Sequence, residues 1–166
     1  MEMVAVTMDG SHAADKALAD LRSARDDAWL SEVSVLEHDE DGRYAVKAKN
    51  PSVGDTKAGK GAAIGGLTGL FIGALGGPLG LLLWAGVGAA AGAAIGSSGD
   101  SAFRPMVDDI KGVVMPGMSA LVLVADTEAV DGFIAALHPA EYQVMRQQLN
   151  SEQTAELEKA AAAGEG

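Results

Sequence analysis

The sequence predicts an α+β fold: a ferredoxin-like sandwich of order βαββαβ with an αβα extension, into which a glycine-zipper helical hairpin is inserted. Short apolar runs of strand character alternate with segments of helical period on both sides of the chain. Asp41-Gly42 marks a hairpin between two of those runs. Between the two halves, residues 61 to 99 form thirty-nine consecutive positions without a formal charge. Gly61, Gly65, Gly69, Gly73 and Gly77 recur there every fourth residue, and after Gly76-Gly77-Pro78 the spacing resumes at Gly88, Gly92 and Gly96.

Taken in order, Met3-Val4-Ala5-Val6-Thr7-Met8 is a β-branched apolar run that ends at Asp9-Gly10, a strand and its turn. Ser11 offers an N-cap, and Ala14, Leu18, Leu21 and Ala28 mark one face of the helix that follows. Val33 and Val35, then Tyr44, Val46 and Ala48, alternate with polar residues around the Asp41-Gly42 turn and predict two antiparallel strands. Residues 50–56 are a polar linker into the hairpin. Beyond it, Asp100 or Ser101 caps a helix to about Val114, with Phe103, Val107 and Ile110 on one face, and Met115-Pro116-Gly117 stops it. Ala120-Leu121-Val122-Leu123-Val124 is apolar throughout, the pattern of a strand buried on both faces. Asp126 and Thr127 cap a helix whose stripe is Val130, Phe133, Ile134 and Leu137, ended by His138-Pro139. Residues 141–146 alternate as a last strand, and Asn150 with Gln153 opens a C-terminal helix as a capping box. The predicted organisation is therefore 1–56 and 100–163 as two parts of one sandwich, 57–99 as the inserted hairpin, and 164–166 as a frayed tail.

Charge is distributed unevenly. Residues 1–56 carry six basic and twelve acidic side chains, 57–99 only Lys57 and Lys60, and 100–166 four basic and eleven acidic, which sums to the net −11. An acidic surface repels phosphate backbones, so nucleic acid is not an expected partner. With no cysteine, disulfides and thiolate chemistry are excluded. Met1-Glu2-Met3-Val4 has neither the basic nor the apolar region of a secretory signal, and the expected location is cytoplasmic.

Several of these segments together resemble a known family. Asp41-Gly42-Arg43 before the linker, the break at Gly76-Gly77-Pro78-Leu79-Gly80, the run Pro116-Gly117-Met118-Ser119-Ala120-Leu121-Val122-Leu123-Val124, and Val144-Met145-Arg146 followed by Leu149-Asn150-Ser151-Glu152-Gln153 are similar to a bacterial and archaeal family of predicted membrane proteins of unknown function. The resemblance spans nearly the whole chain. It implies a ferredoxin-like portion with a glycine-zipper insertion and a membrane association that rests on hydropathy. It brings no catalytic residues. Gln147-Gln148 departs from the small hydroxylated residues expected of relatives.

Small residues at every fourth position line one helix face, because 3.6 residues per turn bring i and i+4 nearly into register. The eight zipper glycines are thus candidate helix-packing and oligomerisation residues. Phe71, Ile72, Leu79, Leu81, Leu82, Leu83 and Trp84 are the candidate membrane- or subunit-facing positions, since either lipid or sister copies must cover them. The arms, residues 61–75 and 79–97, would be about 22 and 28 Å long at about 1.5 Å per residue. A hydrocarbon core is about 30 Å thick. Flanking Lys57, Lys60, Arg104 and Lys111 would keep both ends of an inserted hairpin, and both termini, in the cytoplasm.

Chemistry is sparse by comparison. His12, His38 and His138 lack a second ligand at metal spacing. Asp26-Asp27 and Asp108-Asp109 are adjacent on helices and do not converge. The glycine repeats lack the Gly-Lys-Ser/Thr ending of a phosphate loop, Gly59-Lys60-Gly61 notwithstanding. No catalytic, cofactor-binding or metal residue is assigned. The expected function is non-enzymatic self-assembly, with the hairpin mediating oligomerisation, membrane insertion or both at the inner-membrane face. The alternative is a soluble homo-oligomeric ring or shell whose apolar interior holds lipid or other hydrophobic cargo.

Overall fold

A computed structural model describes residues 1–47, 101–137 and 142–164. The zipper glycines, the seven large apolar candidates, Lys57, Lys60, the 50–56 linker, His138-Pro139 and residues 165–166 lie outside the described residues.

The fold is mixed α+β, with a five-stranded antiparallel sheet and four α-helices among the described residues. The strands are β1 (Glu2–Asp9), β2 (Ser34–His38), β3 (Tyr44–Lys47), β4 (Met118–Ala125) and β5 (Gln143–Gln148), and the sheet order is β3-β2-β4-β1-β5. The helices are α1 (Ala13–Ala24), α2 (Arg104–Val113), α3 (Thr127–Ala136) and α4 (Ser151–Gly164), with a 3-10 turn at Ala28–Glu32. The β1–β4 pair is the longest ladder, from Glu2 opposite Ala125 to Asp9 opposite Met118.

Two compact units divide the chain. Residues 1–49 with 110–149 form one, and residues 50–109 with 150–166 the other. The sheet, α1 and α3 belong to the first. Period-2 alternation sends Val4, Val6 and Met8 of β1 and Leu121, Leu123 and Ala125 of β4 to one face, where they meet Ala14, Leu18 and Leu21 of α1 and Val130, Phe133 and Leu137 of α3. Trp29 closes this core edge-on to Phe133, with ring centroids 5.5 Å apart at 71°. Met3, Ala5, Leu36, Ala120, Val122 and Val124 occupy the alternate positions and are buried as well. An unbroken apolar run is what a strand covered on both faces requires, and β4 is such a strand.

In the second unit, the described residues are 101–109, with the start of α2, and 150–164, with α4. Asn150 and Gln153 form the reciprocal box expected of them: Gln153 N–H donates to Asn150 Oδ1 at 2.9 Å and Asn150 N–H to Gln153 Oε1 at 3.0 Å. Phe103, Met106 and Val107 are buried, as are Gln153 and Leu157.

Two local expectations, both at α1, differ from the structure, while the Asp41-Gly42 hairpin joins two antiparallel strands as expected. Helix α1 is not capped by Ser11, because the cap position falls on His12, whose imidazole turns to Glu37; the hydroxyl of Ser119 accepts the Ala14 N–H at 2.9 Å instead. Ala28 is not on α1, since the helix ends before Arg25, which is extended, and Ala28 begins the 3-10 turn. The β2–β3 turn is a loop over Asp39–Arg43, in which Gly42 takes φ 82°. The Asp39 carboxylate accepts the Arg43 N–H at 2.8 Å and its carbonyl accepts the Gly42 N–H at 3.1 Å, which holds the longer loop closed. Asp126 caps α3 as expected, accepting the Ala129 N–H at 2.8 Å.

Candidate functional site

Polar side chains gather where β1 and β2 end and β4 begins. Backbone bonds stitch the loops here: Gly10 N–H donates to Gly117 O at 3.1 Å, and Gly117 N–H to His38 O at 2.9 Å. Gly117 makes this turn at φ 83°, in the left-handed region that side chains disfavour. Ser119, fully buried, adds a third tie by donating to Gly10 O at 2.6 Å.

Glu37 and His38 are neighbours on β2, so their side chains serve opposite faces of the sheet. The Glu37 carboxylate, 8% exposed, accepts from His12 Nδ1 at 3.0 Å, while His12 itself is 78% exposed. A carboxylate holding Nδ1–H leaves the neutral ring's Nε2 as an acceptor. On the other face, buried His38 donates from Nδ1 to Val114 O at 2.7 Å, just past the end of α2. Its ring stacks on Tyr44 at 4.0 Å and 20°, and Lys111 Nζ lies 5.7 Å from the Tyr44 ring centroid. Burial pushes the Tyr44 phenol up from its ordinary range. Among the described residues, no group of three or more His, Cys, Asp or Glu side chains could hold a metal ion.

A second cluster lies at the opposite end of β1. Buried Glu2 accepts from Gln148 Nε2 at 3.2 Å, Arg146 Nε at 2.6 Å and Thr127 Oγ1 at 3.3 Å, and Arg146 also reaches Asp131 at 2.8 Å. The Gln148 amide, with Arg146 and Thr127, holds the Glu2 carboxyl below the usual range against the opposing effect of burial. Its bond to Glu2, then that to Asp131, raises Arg146 in turn. In the second unit, Glu156 accepts from Ser101 Oγ at 2.5 Å and Ala102 N at 2.6 Å, and Gln153 Nε2 donates to Ala102 O at 3.1 Å. This carboxylate clamp fixes the residues at which the chain leaves the uncharged stretch.

Of the site residues expected from sequence, two are described. Arg104 is exposed at the first position of α2, and Lys111 is half-buried over Tyr44. The other expected site residues lie outside the described residues. Pairings that sequence reasoning missed are His12 with Glu37, Glu2 with Arg146, and Ser101 with Glu156. Each joins elements far apart in the chain, and no local spacing signals it.

Among the described residues no helix is long and apolar enough to cross a membrane. What fold and site define is an acidic α+β protein in which the described polar clusters tie elements together. The chain belongs to the DUF1269 family, proteins of unknown function, whose sequence model matches residues 58–162. That span holds the uncharged stretch and α2 through most of α4, while β1, α1, β2 and β3 precede it. No curated protein and no solved structure matches the chain.

Proposed function

We propose that this protein is a non-enzymatic, self-assembling carrier of a glycine-zipper hairpin, and that the hairpin mediates homo-oligomerisation, membrane insertion or both. One observation carries this reading: a stretch of thirty-nine uncharged residues with fourfold glycine spacing interrupts a chain of net charge −11. In lipid, small residues at that spacing associate helices by close packing. In water, the large apolar residues beside them are driven together by the hydrophobic effect. Second copies of the chain, lipid, or both are the partners. The location that fits is the cytoplasmic face of the inner membrane, with both termini in the cytoplasm.

The body that carries the hairpin is read as ferredoxin-like. Strands in the order β2-β4-β1-β5 and helices α1 and α3 make two βαβ halves, and β3 extends the edge beside β2. The hairpin leaves after β3 and returns before α2. A soluble shell or ring with an apolar interior is the second reading, favoured because helices over residues 61–75 and 79–97 would be about 22 and 28 Å long against a hydrocarbon core of about 30 Å.

Carbonate-washed membranes separate the two readings. Recovery of the untagged protein in the pellet supports insertion, and recovery wholly in the supernatant as a large discrete particle rejects it. Gly69→Leu with Gly73→Leu is expected to shrink the particle or abolish pelleting. Unchanged size and partition would show that these glycines pack against nothing.

A further inference from the structure

Among the described residues, no segment pairs with the outer edge of β5. Leu149 N–H donates to Met1 O at 3.1 Å and Gly10 N–H to Gly117 O at 3.1 Å, which fixes the direction of every backbone group in the β1 ladders. Odd residues of β5 bond inward to β1. Even residues, Val144, Arg146 and Gln148, therefore turn their N–H and C=O groups outward, and these have no partner among the described residues. Natural sheets blunt such edges with Pro, Lys, bulges or very short strands. The other edge, β3, is described over four residues, Tyr44–Lys47, and carries a lysine. By contrast β5 runs for six residues in unbroken register with β1 and contains neither Pro nor Lys.

Charge identifies the occupant. In a chain of net charge −11, copies repel one another over most of their surface. From Tyr142 to Asn150 the sole charge is Arg146, which is already bound to Glu2 and Asp131. The edge is thus a place where a second copy meets little charge repulsion. An antiparallel two-fold through Met145 sets Val144 opposite Arg146, Tyr142 opposite Gln148 and Gln143 opposite Gln147, so that no like charges face each other. A two-fold through Arg146 would set the two guanidinium groups against each other.

We propose that β5 pairs antiparallel with β5 of a second copy about a two-fold axis at Met145, joining two five-stranded sheets into one. The interface is isologous and closes at a dimer. It is separate from the glycine stretch, so it adds a contact to the self-assembly proposed above and does not depend on it.

Because the chain has no cysteine, single substitutions report the register directly. Residues opposite at the axis lie about 4.5 Å apart at Cα, within disulfide reach, whereas two copies of Gln143 or of Gln147 lie about 14 Å apart. In full-length protein treated with diamide, Met145→Cys is expected to give a disulfide dimer. Gln143→Cys and Gln147→Cys are each expected to stay monomeric alone and to cross-link when mixed. Val144→Pro removes an outward N–H that β1 does not use, and in the Met145→Cys background it lowers cross-linking about tenfold or more. Cross-linking of Met145→Cys that persists with Gly69→Leu and Gly73→Leu shows an interface independent of the zipper. Absence of the Met145→Cys dimer, equal cross-linking at positions 143, 145 and 147, or loss with the zipper variant overturns the proposal.

Discussion

Ser119→Ala tests the reading of the loop end most sharply. Its hydroxyl accepts the Ala14 N–H at 2.9 Å and donates to Gly10 O at 2.6 Å, at a fully buried position. Removing it leaves the Gly10 carbonyl bonded to Ala13 N–H at 3.2 Å, whereas the Ala14 N–H, an orphan donor of the first turn of α1, loses its partner in the interior. A buried donor left unsatisfied costs about 1–3 kcal/mol, so the expected loss is about 2 kcal/mol, or roughly thirtyfold in the folding equilibrium. For a chain of this size that lowers Tm by about 4–8 °C. Urea unfolding followed by far-UV circular dichroism measures it, with Ser11→Ala as the comparison, expected within about 0.5 kcal/mol of the parent. If Ser119→Ala is as mild as Ser11→Ala, or Ser11→Ala is the more damaging, then the cap is local and the hydroxyl of Ser119 contributes little.

Other consequences follow from backbone and charge. Glu2 is held below its ordinary range in the folded state, so its contribution is present above the unfolded carboxylate pKa and is lost as pH falls through the folded value. Glu2→Gln should therefore flatten the acid side of a stability-versus-pH curve while changing its alkaline side little; an unaltered acid limb would refute the network's role. Gly112→Ala, at a helical position with open space around an added Cβ, is expected to stabilise by about 0.5–1 kcal/mol. Gly117→Ala, at φ 83°, should destabilise by about 1–2 kcal/mol, and thermal melts giving both the same sign would contradict the assigned backbone.

Signals confined to a few residues were legible in the sequence. The unbroken run of β4, the Asn150–Gln153 box and the Asp126 cap are settled by side chains that act within one turn or one strand. The order β3-β2-β4-β1-β5 was not legible in detail, because periodicity says which face of a strand is apolar and nothing about its neighbour. The cap of α1 failed for the same reason. Ser11 was near in sequence, but the fold brings Ser119 nearer to the free N–H. Glu37 reads as one acid in a charged turn region, yet its strand position buries it and makes it the partner of His12. Of the candidate site, only Arg104 and Lys111 could be compared, and Lys111 serves an aromatic ring.

The pairing of β1 with β4 and β5 has a consequence for the order of folding. Glu2 waits for Ala125 and Gln148, so the sheet cannot close until nearly the whole chain has been synthesised. Synthesis proceeds at about 5–20 residues per second, which leaves the first half without its central strand for seconds. During that interval the uncharged stretch has already left the ribosome. The topology thus orders events in time: the uncharged stretch is synthesised before the sheet can close. Ring closure over so long a span is also slow. β1 thus emerges first and gains its last partner, β5, only when residue 148 has been made.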